Sequence, residues 1–305
     1  MSKAYAYTGV GGPEVETFVD RPVPEPGSGE LLVAVRAAGV NPVDWKLRNG
    51  FRRPGAPDPQ FPVAFGSEVA GTVERVGPGV EGFAPGDAVF GSPLTGGYAE
   101  HTLLPAAVTA RLPEGLSFTD AATLPVAAAT AWDGIQQLAL PEGAVLLVTG
   151  AGGGVGVAAV QIARAAGLRV VGVASAGKRS FVESLGARHV ASGPDFAERV
   201  RAITPEGVDA VFDLVGGEVL EAAASLLRDR SKLISAADRS VTALGGAPVE
   251  RTRTAAVLDK VAALAAEGRL DPHVTAVYPL EQAGAALRAV EEGHARGKIV
   301  IEVAR

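Results

Sequence analysis

The sequence predicts an α/β protein that combines a β-rich domain with a doubly wound parallel sheet. Short runs with β-branched or aromatic residues, separated by Pro and Gly, fill the first hundred residues. From about residue 127 onward, helical and strand patterns alternate, which is typical of a parallel sheet covered by helices on both faces. A length of 305 residues also favours two domains.

The predicted strands of the first domain are short and closely spaced. They cover Ala4–Tyr7, Glu14–Val19, Leu31–Ala37, Val69–Val76, Ala88–Phe90 and Tyr98–Leu104. Many short strands with Pro and Gly between them favour a compact, barrel-like domain. One helical turn is predicted over Pro42–Arg48, and four prolines exclude regular structure from Phe51–Pro62.

The second domain begins where Ser117 or Thr119 is expected to cap a helix. Its predicted helices are Ala127–Leu138, Val155–Ala166, Lys178–Leu185, Asp195–Ile203, Glu218–Leu227 and Thr252–Glu267. Its predicted strands are Val145–Thr149, Arg169–Ala174, His189–Ala191, Ala210–Leu214 and Lys232–Ser235. A strand at Val274–Tyr278, a helix at Leu280–Glu292 and a strand at Lys298–Val303 follow, too few elements for a third domain. They either complete the second domain or return to the first.

A glycine-rich turn, Gly150–Gly156, joins a strand to a helix. Leu146–Val148 are apolar, as expected for a strand buried on both faces, and the helix after the turn ends at Gly167. A turn with little side chain before a helix N-terminus presents backbone N–H groups to an anion. The spacing Ala151-x-Gly153-x-x-Gly156 departs from G-x-G-x-x-G only at its first position. We therefore predict a pyrophosphate-binding turn; a tight connection without ligand is the alternative.

Composition excludes several classes of site and partner. The net charge is −6 and no basic stripe is present, which argues against nucleic acid. No apolar run is long enough to cross a membrane and no signal-like segment opens the chain, so a cytoplasmic location is expected. The absence of cysteine excludes disulfides and thiolate metal sites. A zinc site built from histidine and carboxylate stays open, although the four histidines are far apart in sequence: His101, His189, His273 and His294.

The residues after the strand Arg169–Ala174 favour NADPH over NADH. An acidic residue about 20 positions beyond the glycines would bind the ribose 2′-OH of NAD. Here Ser175, Lys178 and Arg179 occupy that region, and no acid occurs before Glu183. A hydroxyl and two cations suit a 2′-phosphate. The alternative is that these cations simply begin a solvated helix.

Four segments resemble one family. They are Ala38–Gly50, Phe65–Thr72 with the two Pro-Gly loops that follow it, Gly96–His101, and the glycine turn. Together they resemble zinc-independent, zeta-crystallin-like quinone oxidoreductases of the medium-chain dehydrogenase/reductase superfamily. The resemblance implies a GroES-like catalytic domain at 1–122 and 269–305 and a Rossmann NADP-binding domain at 123–268. It also implies a cleft that holds the nicotinamide and the substrate.

The same resemblance implies the chemistry. Zinc alcohol dehydrogenases of this superfamily carry a Cys near Asn41 and a His at the position of Ser67, so simple alcohol oxidation is not expected here. Hydride transfer to a quinone or an activated alkene is expected instead. Asn41 and Thr130 are the implied catalytic residues, and Lys46 is a candidate proton donor or, alternatively, a surface charge. The implied cofactor contacts are Asn41, Thr130, Gly153, Gly154, Val155, Ser175, Lys178, Arg179, Ser235 and Lys298.

Several alternatives stay open. Ser192 lies where many family members carry an adenosine-side Tyr, which puts one contact in doubt. An enoyl (thioester) reductase would share fold and cofactor, and Arg52 and Arg53 are the one hint of a docking patch for a carrier. An NADPH-binding structural or sensor protein without turnover is the alternative of another class. The sequence has no Tyr-x-x-x-Lys, which excludes the short-chain reductases, and it has no acid after the second strand, which argues against a methyltransferase. The resemblance implies a homodimer, with Val241–Leu244 as the expected edge strand.

Overall fold

The computed structural model describes residues 1–52, 55, 57–293 and 295–304. The chain divides into two compact units. The first contains Met1–Val126, Arg253–Ala266 and the chain from Val274 onward, and the second contains Ala127–Thr252 and Glu267–His273. The domain boundaries predicted above stay a prediction.

The first 126 residues form mainly short strands. The strands are β1 Ser2–Tyr7, β2 Glu16–Arg21, β3 Glu30–Val40, β4 Val63–Ala64, β5 Val69–Val76, β6 Ala88–Gly91, β7 His101–Pro105 and β8 Ala110–Arg111. The helices are α1 Pro42–Arg48 and α2 Phe118–Ala121. Ser117 caps α2 by accepting a hydrogen bond from the backbone N–H of Asp120.

Helices and strands alternate in the second unit. Its helices are α3 Ala129–Leu138, α4 Gly154–Ala165, α5 Arg179–Ser184, α6 Phe196–Ile203 and α7 Gly217–Ala224. Its strands are β9 Val145–Thr149, β10 Arg169–Ala174, β11 Arg188–Ala191, β12 Ala210–Asp213, β13 Leu233–Ser235 and β14 Ala247–Pro248. The remaining elements are α8 Ala255–Ala266, β15 Val274–Pro279, α9 Ala283–Glu291 and β16 Lys298–Glu302.

The last strand of the chain returns to the first unit. β16 pairs antiparallel with β3, with Ile299 opposite Val40 and Val300 opposite Gly39. It thereby joins a seven-stranded sheet of order β15-β16-β3-β5-β6-β8, in which β7 also pairs with β3. Apolar side chains of β1, β3, β5, β16 and α9 form one core. Of the two placements left open for the C-terminal segments, the structure shows the return to the first unit.

The second unit is a six-stranded parallel sheet of order β11-β10-β9-β12-β13-β14. All five residues of β9 are buried, as its apolar run predicts. Gly134 of α3 packs on Phe212 and Ile234, whereas Phe196 of α6 packs with the alternate residues, such as Leu147. Because successive strand residues point to opposite faces, helices cover both faces. The predicted α/β fold class is confirmed.

One predicted strand is wrong. Residues 241–244 do not form an edge strand but part of a 3₁₀ turn, Arg239–Leu244. The side chain of Asp238 accepts from the Ser240 N–H at 2.8 Å, and Gly245 ends the turn in the left-handed region with φ 83°. This capping outweighs the β propensity of a short apolar run. The edge strand of the sheet is β14 instead.

Two other strands begin later than predicted. The predicted strand Glu14–Val19 begins two residues later, because Pro13–Val15 form a 3₁₀ turn. The predicted strand Tyr98–Leu104 begins at His101. Tyr98 instead bridges two other segments, since its N–H donates to Phe65 and its carbonyl accepts from Tyr5.

The glycine turn depends on a close backbone approach. Gly150 has φ 66°, a conformation that L side chains rarely adopt. A Cβ at Gly156 would lie 2.3 Å from the carbonyl oxygen of Gly150, so α4 can start directly against the turn only without that atom. A Cβ at Gly177, in the same unit, would meet open space.

We therefore expect Gly156→Ala to lower the free energy of unfolding by about 1–3 kcal/mol, because backbone has to shift. Gly177→Ala is the matched control and should change it by less than about 0.5 kcal/mol. Urea unfolding of both variants measures this difference. Equal stability of the two variants would show that the turn can relax without cost.

Candidate active site

Asn41 lies where β3 ends and α1 begins. Its backbone N–H donates to Oδ2 of Asp44 at 2.9 Å, and Pro42 occupies the first helical position. Asn before a helix, Pro at its first position and an acid at the third favour this helix start. The side chain of Asn41 is 4% exposed. These residues therefore fix the backbone on both sides of Asn41, which carries the side-chain amide.

The Asn41 amide lies between two buried charges. Lys298 Nζ is 2.7 Å from Oδ1 of Asn41, and Nδ2 of Asn41 is 2.7 Å from Oε1 of Glu68. Lys298 Nζ is also 2.9 Å from the same Glu68 oxygen. We name Asn41, Glu68 and Lys298 the amide cluster. The sequence predicts site roles for Asn41 and Lys298. Glu68 lies in the segment Phe65–Thr72 that resembles the family, but the sequence predicts no role for it.

Glu68 reaches a further segment. Its Oε2 accepts from the backbone N–H of Val126 at 2.8 Å. Val126 lies in a π-helical turn, Leu124–Ala128, directly before α3. The close approach of Glu68 to β3 requires a glycine, since a Cβ at Gly39 would lie 2.1 Å from Oε1 of Glu68. Thr130 follows on α3 and is 3% exposed; its predicted role stays a prediction.

A second polar cluster surrounds Asp44. Ser67 Oγ donates to Oδ1 of Asp44 at 2.6 Å, and the Tyr98 hydroxyl donates to Oδ2 at 2.8 Å. Burial raises the pKa of the Asp44 carboxyl to about 6, although the hydrogen bonds from Ser67, Tyr98 and the Asn41 N–H lower it. Burial, followed by the Asp44 charge, raises the pKa of Tyr98 well above its ordinary value. Asp44 thus accepts three hydrogen bonds, which agrees with a structural acceptor.

Lys46 is exposed on α1. Its ammonium group lies 5.6 Å from the centroid of the Trp45 ring, within the range of a cation–π contact. The structure thus shows the surface-charge geometry that was the alternative for this residue. Its role as a proton donor stays a prediction.

The glycine turn fits a pyrophosphate. Gly153 is the N-cap of α4, and Gly154 and Val155 are its first residues. The Gly153 N–H donates to Gly150 at 3.1 Å, whereas the N–H groups of the first helical positions have no acceptor within the helix. A Cβ at Gly153 would meet only the Gly150 carbonyl oxygen, at 3.6 Å. Little side chain therefore lies between these N–H groups and an anion that approaches them. Helix start and turn together favour an anion at this point.

The predicted 2′-phosphate residues differ in their positions. Lys178 lies against the glycine turn, since a Cβ at Gly152 would be 2.6 Å from its Cδ. Ser175 is exposed and follows β10 directly. Arg179 begins α5, and its guanidinium lies 3.9 Å from the Glu183 carboxylate. That exposed pair contributes little to stability. Lys178 is therefore the predicted cation that the fold brings to the turn.

Asp213 is a buried residue that the sequence analysis missed. It ends β12 and accepts from Thr149 Oγ1 and Ser235 Oγ, each at 2.7 Å. The Gly216 N–H donates to the same carboxylate at 3.0 Å. The hydroxyl of Ser235, a predicted cofactor contact, is thus bonded to Asp213. An aspartate at the carboxyl end of an apolar strand was the available signal, but the predicted strand ran past it to residue 214.

In the described ranges, 1–52, 55, 57–293 and 295–304, no group of three or more His, Cys, Asp or Glu side chains could hold a metal ion. In the same ranges no helix combines the length and apolar character needed to cross a membrane. His294 and Arg53, both named above, lie outside the described residues.

Two family matches cover separate parts of the chain. Residues 27–114 match the family described as alcohol dehydrogenase GroES-like domain, and residues 185–301 match the family described as zinc-binding dehydrogenase. The human protein named quinone oxidoreductase is 32% identical over 95% of this chain and 94% of its own length. The chain belongs to the medium-chain dehydrogenase/reductase superfamily, in the family that includes this quinone oxidoreductase. The GroES-like and Rossmann-like assignments are thereby confirmed.

Other relatives of this family are much longer. Erythronolide synthase EryA2 of Saccharopolyspora erythraea is 35% identical over 90% of this chain, but the chain spans only 8% of that protein. It spans between 5% and 14% of other polyketide synthases that it matches.

Solved structures of the family differ in the cofactor that their names give. The mycobacterial protein Rv1454c, solved in complex with NADPH, is 31% identical with a TM-score of 0.87, covering 99% of this chain and 100% of that one. A protein named NAD-dependent alcohol dehydrogenase is 32% identical with a TM-score of 0.87 and the same coverage.

The Asp44 carboxyl predicts an unusual pH dependence. Its pKa of about 6 in the folded protein exceeds the ordinary value of 3.8, so the folded state binds the proton more tightly than the unfolded state. The contribution of Asp44 to the free energy of unfolding should therefore fall by about 2 kcal/mol as the pH rises from 4 to 7. The Asp44→Asn variant should lack this pH-dependent contribution to the free energy of unfolding. Urea unfolding at several pH values measures the difference between the two proteins.

Asp87 supplies a control, because its pKa is shifted in the opposite direction to that of Asp44. Hydrogen bonds from the Ala84 N–H and the Arg111 side chain lower the pKa of its carboxyl, so its contribution is lost as the pH falls. Asp87→Asn should change the pH profile in the other direction. Identical profiles for wild type and Asp44→Asn would contradict the assignment of the titration to Asp44.

Proposed function

We propose that this chain is an NADPH-dependent, zinc-independent reductase that transfers hydride to a quinone or an activated alkene. The observation that carries the proposal is the amide cluster. Zinc-dependent members of the superfamily carry a Cys near the position of Asn41 and a His at that of Ser67. In this chain Asn41 is bonded to Lys298 and Ser67 to Asp44. An ammonium group 2.7 Å from the Asn41 oxygen would repel a divalent cation. An acceptor that is already electrophilic does not need such a cation.

The cofactor proposal has its own support. The start of α4 would hold the pyrophosphate, and Lys178, which lies against the same turn, would bind the 2′-phosphate with Ser175. The NADPH complex of a relative 31% identical agrees with this choice, whereas a relative named NAD-dependent shows that the family includes both. Arg179 stays in the proposal as a weaker contact, because it faces Glu183.

The chain's own residues would orient the reactants. When bound, NADPH would supply the hydride. Asn41 would donate to the substrate carbonyl or to the carboxamide, and Thr130 would contact the carboxamide. A reduced quinone can take its protons from water, so the exposed Lys46 is not required. Asn41 would therefore contribute mainly by position and by its hydrogen bond.

Reduction of an enoyl thioester is the second candidate, and the similarity to polyketide synthases favours it. Arg52 gives less support to a docking patch for a carrier than its sequence position suggests. Its guanidinium donates to the carbonyls of Leu47 and Phe51. A steady-state assay with quinones, enones and a simple enoyl thioester separates the two reactions. Tight NADPH binding without turnover on any of these would favour the binding-protein alternative.

The family resemblance also supports a homodimer. The second sheet ends in β14, a strand of two residues, rather than in the predicted segment 241–244. Sizing at low protein concentration tests this proposal, and a monomer at all concentrations would contradict it.

Lys178→Ala tests the cofactor preference. We expect its Kd for NADPH to rise about tenfold or more, because a charged contact to the 2′-phosphate is lost, while its Kd for NADH stays unchanged. Fluorescence titration with both cofactors measures this. Lys260→Ala, which removes an exposed lysine of α8, is the matched control. Equal losses for NADPH and NADH would contradict a 2′-phosphate contact.

Asn41→Ala tests the reaction. We expect kcat/KM for quinone reduction to fall about 100-fold, because one oriented donor is removed. The wild-type protein should oxidise NADPH above background with at least one quinone or enone. If it does not, the proposed function is wrong whatever the variant does.

A further inference from the structure

The amide cluster satisfies both of its charges within the protein. Lys298 Nζ donates to the carbonyl of Val40 at 3.1 Å, to Oδ1 of Asn41 and to Oε1 of Glu68. Glu68 accepts from Lys298 and Asn41 on one oxygen and from Val126 on the other. Glu68 and Lys298 are 0% and 3% exposed. The two opposite charges are therefore buried, and both are bonded within the protein.

Stability alone does not account for such a pair. Desolvation of two charges costs about as much as their attraction returns, and apolar replacements of similar size are often as stable. A buried pair is more useful for fixing a geometry. Here the group that both charges contact is the Asn41 amide.

The two charges define the orientation of that amide. The oxygen faces the ammonium group of Lys298 and the nitrogen faces the carboxylate of Glu68. A flipped amide would place N–H groups against a cation and an oxygen against an anion, and both contacts would be repulsive in a buried site. The amide can therefore hold only one of its two orientations.

The orientation leaves one N–H weakly bonded. Nδ2 of Asn41 carries two hydrogens, and one of them points to Glu68 at 2.7 Å. The nearest acceptor for the other is the carbonyl of Gly39 at 3.5 Å, the outer limit of a hydrogen bond. This second N–H can exchange a weak partner for a stronger one.

We propose that the Glu68–Lys298 pair is a positioning device that fixes the Asn41 amide and keeps its second N–H available for a carbonyl oxygen. That carbonyl is the substrate's or that of the cofactor carboxamide, so the inference rests on the proposed function. Glu68 and Lys298 act through Asn41 and are not catalytic residues. The prediction that Lys298 also contacts the cofactor stays a prediction.

The first experiment removes both charges together. Lys298→Met or Glu68→Gln alone leaves one buried charge unpaired, so each single variant should unfold at a lower temperature. The double variant Lys298→Met/Glu68→Gln has no unpaired charge and should recover most of the wild-type Tm. Its kcat for quinone reduction should nevertheless fall about 100-fold, since the amide is no longer oriented. A double variant with kcat within twofold of wild type would overturn the proposal.

A matched double variant separates position from general damage. Arg48 is another fully buried cation of the same unit, paired with Glu16 and Glu291. Arg48→Met/Glu16→Gln removes a buried pair that does not contact the amide. It should lower Tm at least as much as the cluster double variant, but it should leave kcat within about threefold. Equal losses of kcat in the two double variants would show that the amide cluster is merely structural.

A double-mutant cycle tests whether the pair acts through Asn41. In an Asn41→Ala background, Lys298→Met/Glu68→Gln should cause no further loss of kcat, because the group that it orients is already absent. Fully additive losses would mean that the pair acts on something else, and the proposal would be wrong.

A readout without turnover uses the composition of the chain. Asn41 and Asn49 are its two asparagines, so ¹⁵N-asparagine labelling gives two side-chain amide signals. The Asn41 signal should be protected from hydrogen exchange in wild type and should exchange at least tenfold faster in the Lys298→Met/Glu68→Gln variant. The exposed Asn49 is the internal control and should not change. Unchanged exchange at Asn41 would refute the positioning claim.

The two readouts separate the failures. Absence of turnover in the wild-type protein would refute the proposed function, and the exchange result would still decide whether the pair orients the amide. Turnover in wild type with unchanged exchange and unchanged kcat in the double variant would refute only the positioning device.

Discussion

The antiparallel pairing of β16 with β3 is the constraint on which the first unit depends. It joins the end of the chain to a strand that begins at Glu30, and it places Lys298 beside Asn41, 257 residues away in sequence. Without this pairing, the buried Glu68 would lack its counter-ion, and the cost of an unpaired buried carboxylate would be severe. The strand β16 therefore both completes the sheet and supplies the counter-ion for the buried carboxylate at the candidate site.

Both units use a buried carboxylate to organise a polar edge. Glu68 bonds Asn41, Lys298 and the N–H of Val126, whereas Asp213 bonds Thr149, Ser235 and the N–H of Gly216. In each case, the acceptor joins segments that are distant in sequence, and buried polar groups of this kind are stable only when every member is satisfied. The two carboxylates therefore fix loops that carry predicted site residues, with much less freedom than exposed loops have.

The sequence predicted what neighbouring residues determine and missed what the tertiary fold determines. The bounds of α1, β9 and β10 follow from local signals: Pro at the helix start, and apolar runs between glycines. The partners of Glu68 do not, because no periodicity links it to Lys298, 230 residues away. The wrong strand at residues 241–244 has the opposite cause, since a local cap at Asp238 was overlooked in favour of apolar residues. Family resemblance selected Asn41 and Lys298, but it gave no reason for their proximity.

In the proposed function, the amide cluster would do the orienting that a metal does in the zinc-dependent members. A zinc ion at such a site would orient and polarise an oxygen through its charge. Here the Lys298 ammonium group is paired with Glu68 and donates to Asn41, so the cluster would supply direction rather than Lewis acidity. Direction is sufficient for an acceptor that is already electrophilic and insufficient for an alcohol, whose proton has to be removed. In the proposed function these residues would therefore favour an acceptor that is already electrophilic, because they would supply a fixed hydrogen-bond donor and would not lower the pKa of an alcohol.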